Sequence, residues 1–280
     1  TLLEPARLVS LPFLKGDLCV DKLKESCRNL DLNDFNFILY RSDPEEKDQF
    51  PEIGGAYNVP GSGDLSYCGF EGVCTVLKLI ERYNDLDHAL CENLRNGTWL
   101  LDYTVSRLKR ANEGSFDALI TWIEGVFEHL KGLPGYLRPK YTVKVFKTMT
   151  EVFKERIFEQ MNPRLRNCGE FAKALALGSV QMIGKVPSTG LTPKSSYNDH
   201  ENPILQVISS SPCMSAGLPH FSTHHMRCWG RDIFISFRGF LLIPGRFDVA
   251  RSHLLAFSAC VFKGLIPNLL DAGRRPRYNA

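Results

Sequence analysis

Two apolar runs near the C-terminal end leave the chain little freedom. "IFISFRGFLLI" (233–243) and "VARSHLLAFSACVF" (249–262) are each long enough for a helix, and only "PGRFD" separates them. Pro244-Gly245 turns the chain between them. The first run is apolar nearly all round, which predicts a buried helix. Asp232 stands at its start and Asp248 at the start of the second. There a carboxylate accepts backbone N–H bonds and meets the positive end of the helix dipole. Lys263-Gly264 closes the second run. An antiparallel helical hairpin is the expected result.

Helical periodicity recurs upstream. In "SFDALITWIEGVFEHLKG" the residues Phe116, Leu119, Ile120, Ile123, Val126, Phe127 and Leu130 form one stripe, with Ser115 as the expected cap and Gly132 as the stop. Further helices are expected over 142–161, 70–83 and 99–110. "FNFILY" (35–40) reads as a strand, "ILQVIS" (204–209) as a second one, and "RSDPEEKDQFPEIGG" as a charged loop. Residues 185–215 are rich in Pro, Ser, Gly and Asn and read as a long loop. The fold class is therefore mainly α, with a few short strands. No sequence repeat is evident, although hairpin following hairpin suits an α/α toroid.

Composition sets limits on function. A formal charge of +3 over 280 residues is too mild for a nucleic-acid surface, and Arg274, Arg275 and Arg277 read as a solvated edge. Nine cysteines without a CxxC pair argue against a zinc ribbon or a thioredoxin-type site and fit reduced thiols in the cytoplasm. The longest apolar runs fall short of the ~20 residues that span a bilayer. The chain starts at Thr1 and stops at "RRPRYNA"; neither end reads as a natural terminus, and a piece of a longer polypeptide is expected.

The densest chemistry lies in "HHMRCWGRD" (224–232). His220, His224 and His225 are close in sequence, but adjacent histidines diverge and no HExxH-type spacing occurs, so no metal is expected. A Cys228–His nucleophile is conceivable, yet nine scattered cysteines favour a buried, inert thiol. Trp229 offers a flat face and one N–H, Arg231 a rigid fork of donors, Asp232 a carboxylate, and Gly230 a tight backbone. A tryptophan beside a fixed Arg–Asp pair suits a sugar, which stacks its C–H groups and bonds its hydroxyls.

These residues also carry a resemblance. "LPHFSTHHMRCWGRDIFISFRGFLLIPGRFDVARSHLLAF", "KGLIPNLLDAGRRPRYNA", "GAYNVPGSGDLSYCGFEGV" and "NDLDHALCENLRNGTWLLDYTVSRL" closely resemble the eukaryotic glycogen debranching enzyme family. The resemblance covers nearly everything from about residue 54 onward. It implies a central region over 1–165 and, over 166–280, the truncated first hairpins of an (α/α)6 glucosidase toroid. It implies that Arg231 and Asp232 hold the terminal glucose of glycogen or a limit dextrin, with Trp229 as a stacking wall. His220, Asn268, Tyr278 and Asn279 fall at matching loop positions and would line the pocket. No cofactor is implied. Asp232 could instead be one of the catalytic carboxylates.

Hydrolysis of an α-1,6 glucosyl stub with inversion needs two carboxyl groups ~6.5–9.5 Å apart. Residues 216–280 hold only Asp232, Asp248 and Asp271 as acids. Asp248 reads as a cap and Asp271 as a turn residue, so the second carboxylate is expected past residue 280, and the chain alone is expected to lack turnover. The competing reading is a non-catalytic helical scaffold or glycogen-binding module.

Overall fold

The apolar stripes seen in the sequence become helices in a computed structural model that describes residues 13–54, 57–59, 63–83, 87–191 and 211–278. The helices are α1 (Val20–Ser26), α2 (Leu32–Phe35), α3 (Asp43–Gln49), α4 (Phe70–Tyr83), α5 (Ala89–Asn96), α6 (Trp99–Arg110), α7 (Asp117–Lys131), α8 (Arg138–Gln160), α9 (Glu170–Met182), α10 (Gly230–Phe237) and α11 (Phe247–Ala259). Three two-stranded antiparallel ribbons join them: β1 (Asn58–Val59) with β2 (Gly63–Asp64), β3 (Ile183–Gly184) with β4 (Cys213–Met214), and β5 (Leu269–Asp271) with β6 (Arg275–Arg277). The fold is mainly α, as the periodicity predicts.

The chain forms two compact units that are interleaved along its length. The first comprises residues up to Asp31, Tyr57–Leu65 and Gly69–Ile157. Its core is aromatic: Phe70 packs against Phe146 and Phe153, and Phe127 stacks on Phe146. The expected stripe of α7 is buried throughout. Ser115 is not its cap, however; Phe116 holds that position, and Asn112 Oδ1 accepts from the N–H groups of Gly114 and Phe116 in the turn before it.

Arg138, at the start of α8, fastens this unit. Its Nη1 donates to the carbonyls of Leu94 and Gly97 (both 3.0 Å) and its Nη2 to those of Lys131 (3.1 Å) and Leu133 (3.2 Å). One guanidinium thereby satisfies orphan carbonyls at the ends of α5 and α7. Arg138→Ala is expected to cost about 2 kcal/mol in urea unfolding, and Arg138→Lys to recover little, because an ammonium cannot fork to two helix ends.

The second unit comprises Leu32–Ala56, Ser66–Cys68 and the chain from Phe158 onward. Two expectations are corrected here. "FNFILY" is not a strand: α2 continues into a π-helical turn over Asn36–Tyr40, every residue of which is buried. A short run buried on all sides has no strand-specific period. Asn36 confirms the burial by donating to the carbonyls of Val180 (2.7 Å) and Gln181 (3.2 Å). The charged "loop" after it contains α3. Ser42-x-x-Glu45 is a capping signature, and Glu45 Oε2 accepts from the Ser42 backbone N–H at 2.9 Å.

The C-terminal hairpin forms, with α10 passing into a π-helical turn (Arg238–Leu242) before α11. Phe234 near the start of α10 meets Phe257 near the end of α11, as antiparallel packing requires. The first helix is not buried all round: Ile233 and Leu241 are inside, whereas Ile235 is 80% exposed. The predicted strand at 204–209, and most of the long loop around it, lie outside the described residues.

Candidate functional site

The site grows from a strand-like segment that leads into α10. Cys228 accepts a backbone bond from Leu270 (3.0 Å), Trp229 bridges to Leu269, and the Gly230 N–H donates to the Asn268 carbonyl (2.8 Å). Asn268 in turn donates to the carbonyl of Arg277 (2.9 Å). The ribbon β5–β6 thus sits beside residues 228–230 and delivers Asn268 to the helix start. Gly230 is required by space. A Cβ there would lie 2.7 Å from Phe257 Cε1 and 2.8 Å from the Pro267 carbonyl oxygen. The tight backbone expected at this glycine is therefore physical.

Trp229, extended, is the N-cap residue of α10. Asp232 is therefore the third residue of the helix and not its cap, which corrects the capping reading; its carboxylate still lies in the first turn, at the positive end of the dipole. Asp248 likewise follows the true cap, Arg246. Nor do Arg231 and Asp232 form a fixed pair. Successive helical residues diverge by about 100°, and no ion pair joins them. Instead, three polar groups in four residues have no partner among the described residues: the shielded Trp229 Nε1, the exposed Arg231 guanidinium and the half-buried Asp232 carboxylate.

The other predicted residues are placed differently. The Tyr278 hydroxyl donates to the Cys260 carbonyl and its ring lies 6.0 Å from Phe262, so only the ring is left to present. His220 is exposed in the Gly217–Phe221 turn and bonds to none of the cluster. Asn279 lies outside the described residues. Asp271 ends β5 and opens the turn to β6, its carbonyl accepting from the Arg274 N–H (3.1 Å), and its carboxylate is paired with Arg277 at 2.5 Å. Among the described residues, no three His, Cys, Asp or Glu side chains gather as metal ligands. His224 stands 3.5 Å from Asp48 and 65% exposed.

The Cys228–His nucleophile is excluded by geometry. Cys228 is fully buried, and its hydrogen bond to Cys213 together with burial pushes its thiol up. The neighbouring His253 is a satisfied core histidine, with Nε2 accepting from the Met214 N–H at 3.1 Å and Nδ1 bonded to the Val249 carbonyl at 2.7 Å.

The residue that sequence reasoning missed is Arg227. It is wholly buried and pairs at 2.5 Å with Glu45, itself wholly buried. Its Nε donates to the Cys213 carbonyl (3.0 Å), and its other nitrogens reach the carbonyls of Ser222 and Gly184. One side chain, paired with a residue of α3, thus ties together the carbonyls of Gly184, Cys213 and Ser222 behind the turn that leads to Trp229. The signal for its partner was the Ser42-x-x-Glu45 capping pattern, but nothing in the sequence joins positions 182 residues apart.

Comparison with known proteins agrees with this architecture. Residues 12–108 match the family of the central domain of human glycogen debranching enzyme, and residues 177–280 match the amylo-alpha-1,6-glucosidase family. The glycogen debranching enzyme of Saccharomyces cerevisiae is 44% identical over 253 residues, which is 90% of this chain and 16% of that protein. The chain thus combines a central region with a glucosidase region. It belongs to the glycogen debranching enzyme family.

Proposed function

We propose that the chain is part of an enzyme that hydrolyses α-1,6-linked glucosyl stubs during glycogen breakdown, and that its second unit supplies one wall of the glucose pocket. The parent would also carry 4-α-glucanotransferase activity upstream. The observation that carries this reading is the unspent polar set at the start of α10. Arg227, Arg246 and Arg277 all use their donors internally, whereas Arg231 beside Trp229 Nε1 and Asp232 does not. A glucose ring supplies the missing acceptors and donors, and the indole supplies a face for its C–H groups.

We set the border between central and glucosidase regions at about 165, which the family matches over 12–108 and 177–280 leave room for. The helical hairpin α10–α11 fits the opening of an (α/α)6 toroid. All nine cysteines are free, which supports a reducing, cytoplasmic setting. With Asp271 paired to Arg277 and Asp248 exposed on another helix, the inverting pair is incomplete, and the isolated chain is proposed to be inactive.

Asp232→Asn in the full-length parent tests the reading. Glucose release from limit dextrin is expected to fall at least about a hundredfold. A loss in kcat assigns Asp232 to the chemistry, whereas a rise in KM at constant kcat assigns it to the glucose clamp. Unchanged turnover removes it from the site.

A further inference from the structure

The first unit carries an aromatic platform that the glucosidase reading does not use. Trp99, the first residue of α6, is 43% exposed. The buried ring of Tyr57 lies directly against it, with centroids 3.6 Å apart and planes within 23°. Tyr103, one turn further on, is 5.1 Å from Trp99 and only 5.5 Å from Tyr57. Were the indole sandwiched, the two tyrosines would stand apart by nearly both separations together. They do not, so Tyr103 lies to the side, and neither tyrosine covers the indole face opposite Tyr57. A flat aromatic, backed by a buried ring and partly open to solvent, is a preorganised stacking surface.

One turn along the same helix a cleft of about 230 Å³ opens between α6 and α7, lined by Asp102, Ser106, Lys109, Glu124, Glu128 and Lys131. Three carboxylates share two ammonium groups, and every one of the five is engaged. Lys131 bridges Asp102 (3.1 Å) and Glu128 (3.0 Å), Lys109 pairs with Glu124 (2.6 Å), and the Thr98 hydroxyl donates to Asp102 (2.6 Å). Both lysines are spent on carboxylates, so an anion finds no free cation here. A polyhydroxyl ligand needs none, because each hydroxyl can both donate to a carboxylate and accept from an ammonium.

We propose that Trp99 and this cleft form a holding site for linear α-glucan, with one glucose stacked on the indole and the next placing its hydroxyls over Asp102 and Lys131. The choice of sugar rests on the glycogen reading above; the site itself belongs to a different unit from Trp229 and Asp232.

The test is calorimetric titration of the 280-residue chain with maltoheptaose. Trp99→Ala is expected to weaken binding by about tenfold or more, Trp99→Phe to restore most of it, and Phe171→Ala, which removes an exposed aromatic ring from the other unit, to leave it unchanged. Wild-type chain that fails to bind, or Trp99→Ala that binds like wild type, overturns the proposal. Binding lost in Trp229→Ala alone also overturns it, while leaving the glucosidase reading intact; that reading stands or falls on turnover of the Asp232 variant. Should Trp99→Ala unfold, a chain with Trp122→Phe and Trp229→Phe decides by the fluorescence of Trp99 alone: a saturable change on maltoheptaose supports the site, and no change overturns it.

Discussion

Arg227→Met lowers the stability of the second unit by about 3–5 kcal/mol, the cost of leaving one member of a buried ion pair uncompensated. Glu45 would keep its bond from the Ser42 N–H on Oε2 but lose the partner of Oε1. The carbonyls of Cys213, Ser222 and Gly184 would lose their donor as well. The measurement is denaturant unfolding followed by the fluorescence of Trp229, with Trp99 and Trp122 replaced by Phe to silence the first unit. Glu45→Gln combined with Arg227→Met should be less destabilising than the sum of the single changes, because a neutral amide is cheaper to bury than an orphaned carboxylate. Strict additivity would show that the pair does not act as a pair. Added salt should change little, since neither partner sees solvent.

Gly230→Ala is expected to cost about 3 kcal/mol, at the upper end of the range for overpacking. The clash is with the Pro267 backbone oxygen at 2.8 Å and with Phe257, which is buried. A flexible side chain could swing away; a carbonyl stitched into the 267–270 segment cannot. The same substitution should push Asn268 away from Trp229, because the Gly230 N–H to Asn268 bond is the link between them. Loss of stability at Gly230 together with wild-type stability in Gly239→Ala, where an added Cβ meets nothing, would locate the effect in packing rather than in helix propensity. Equal losses at both glycines would refute the steric account.

What was legible in the sequence follows from the range of each interaction. The stripes of α4, α6 and α7 are local periodicities, and the sequence places those helices closely. The Trp229-Gly230-Arg231-Asp232 turn could be singled out because its residue types are costly to leave unpaired. The expectation failed where burial erases periodicity, as at Asn36–Tyr40, and where the cap falls earlier than the acid that reads as it, by three residues at Asp232 and two at Asp248. It failed most at Arg227 and Glu45. Each reads as an ordinary surface charge until the fold brings them together.

That pairing has a consequence for biosynthesis. Glu45 leaves the ribosome 182 residues before Arg227. At cellular elongation rates the interval is on the order of ten seconds. During it the remaining segments of the first unit, Tyr57–Leu65 and Gly69–Ile157, are made, while the Glu45 carboxylate waits for its cation. The last part of the second unit to be made is therefore what commits the earliest part to its place, and a chain arrested before Arg227 would leave that acidic helix without the charge that draws it inside.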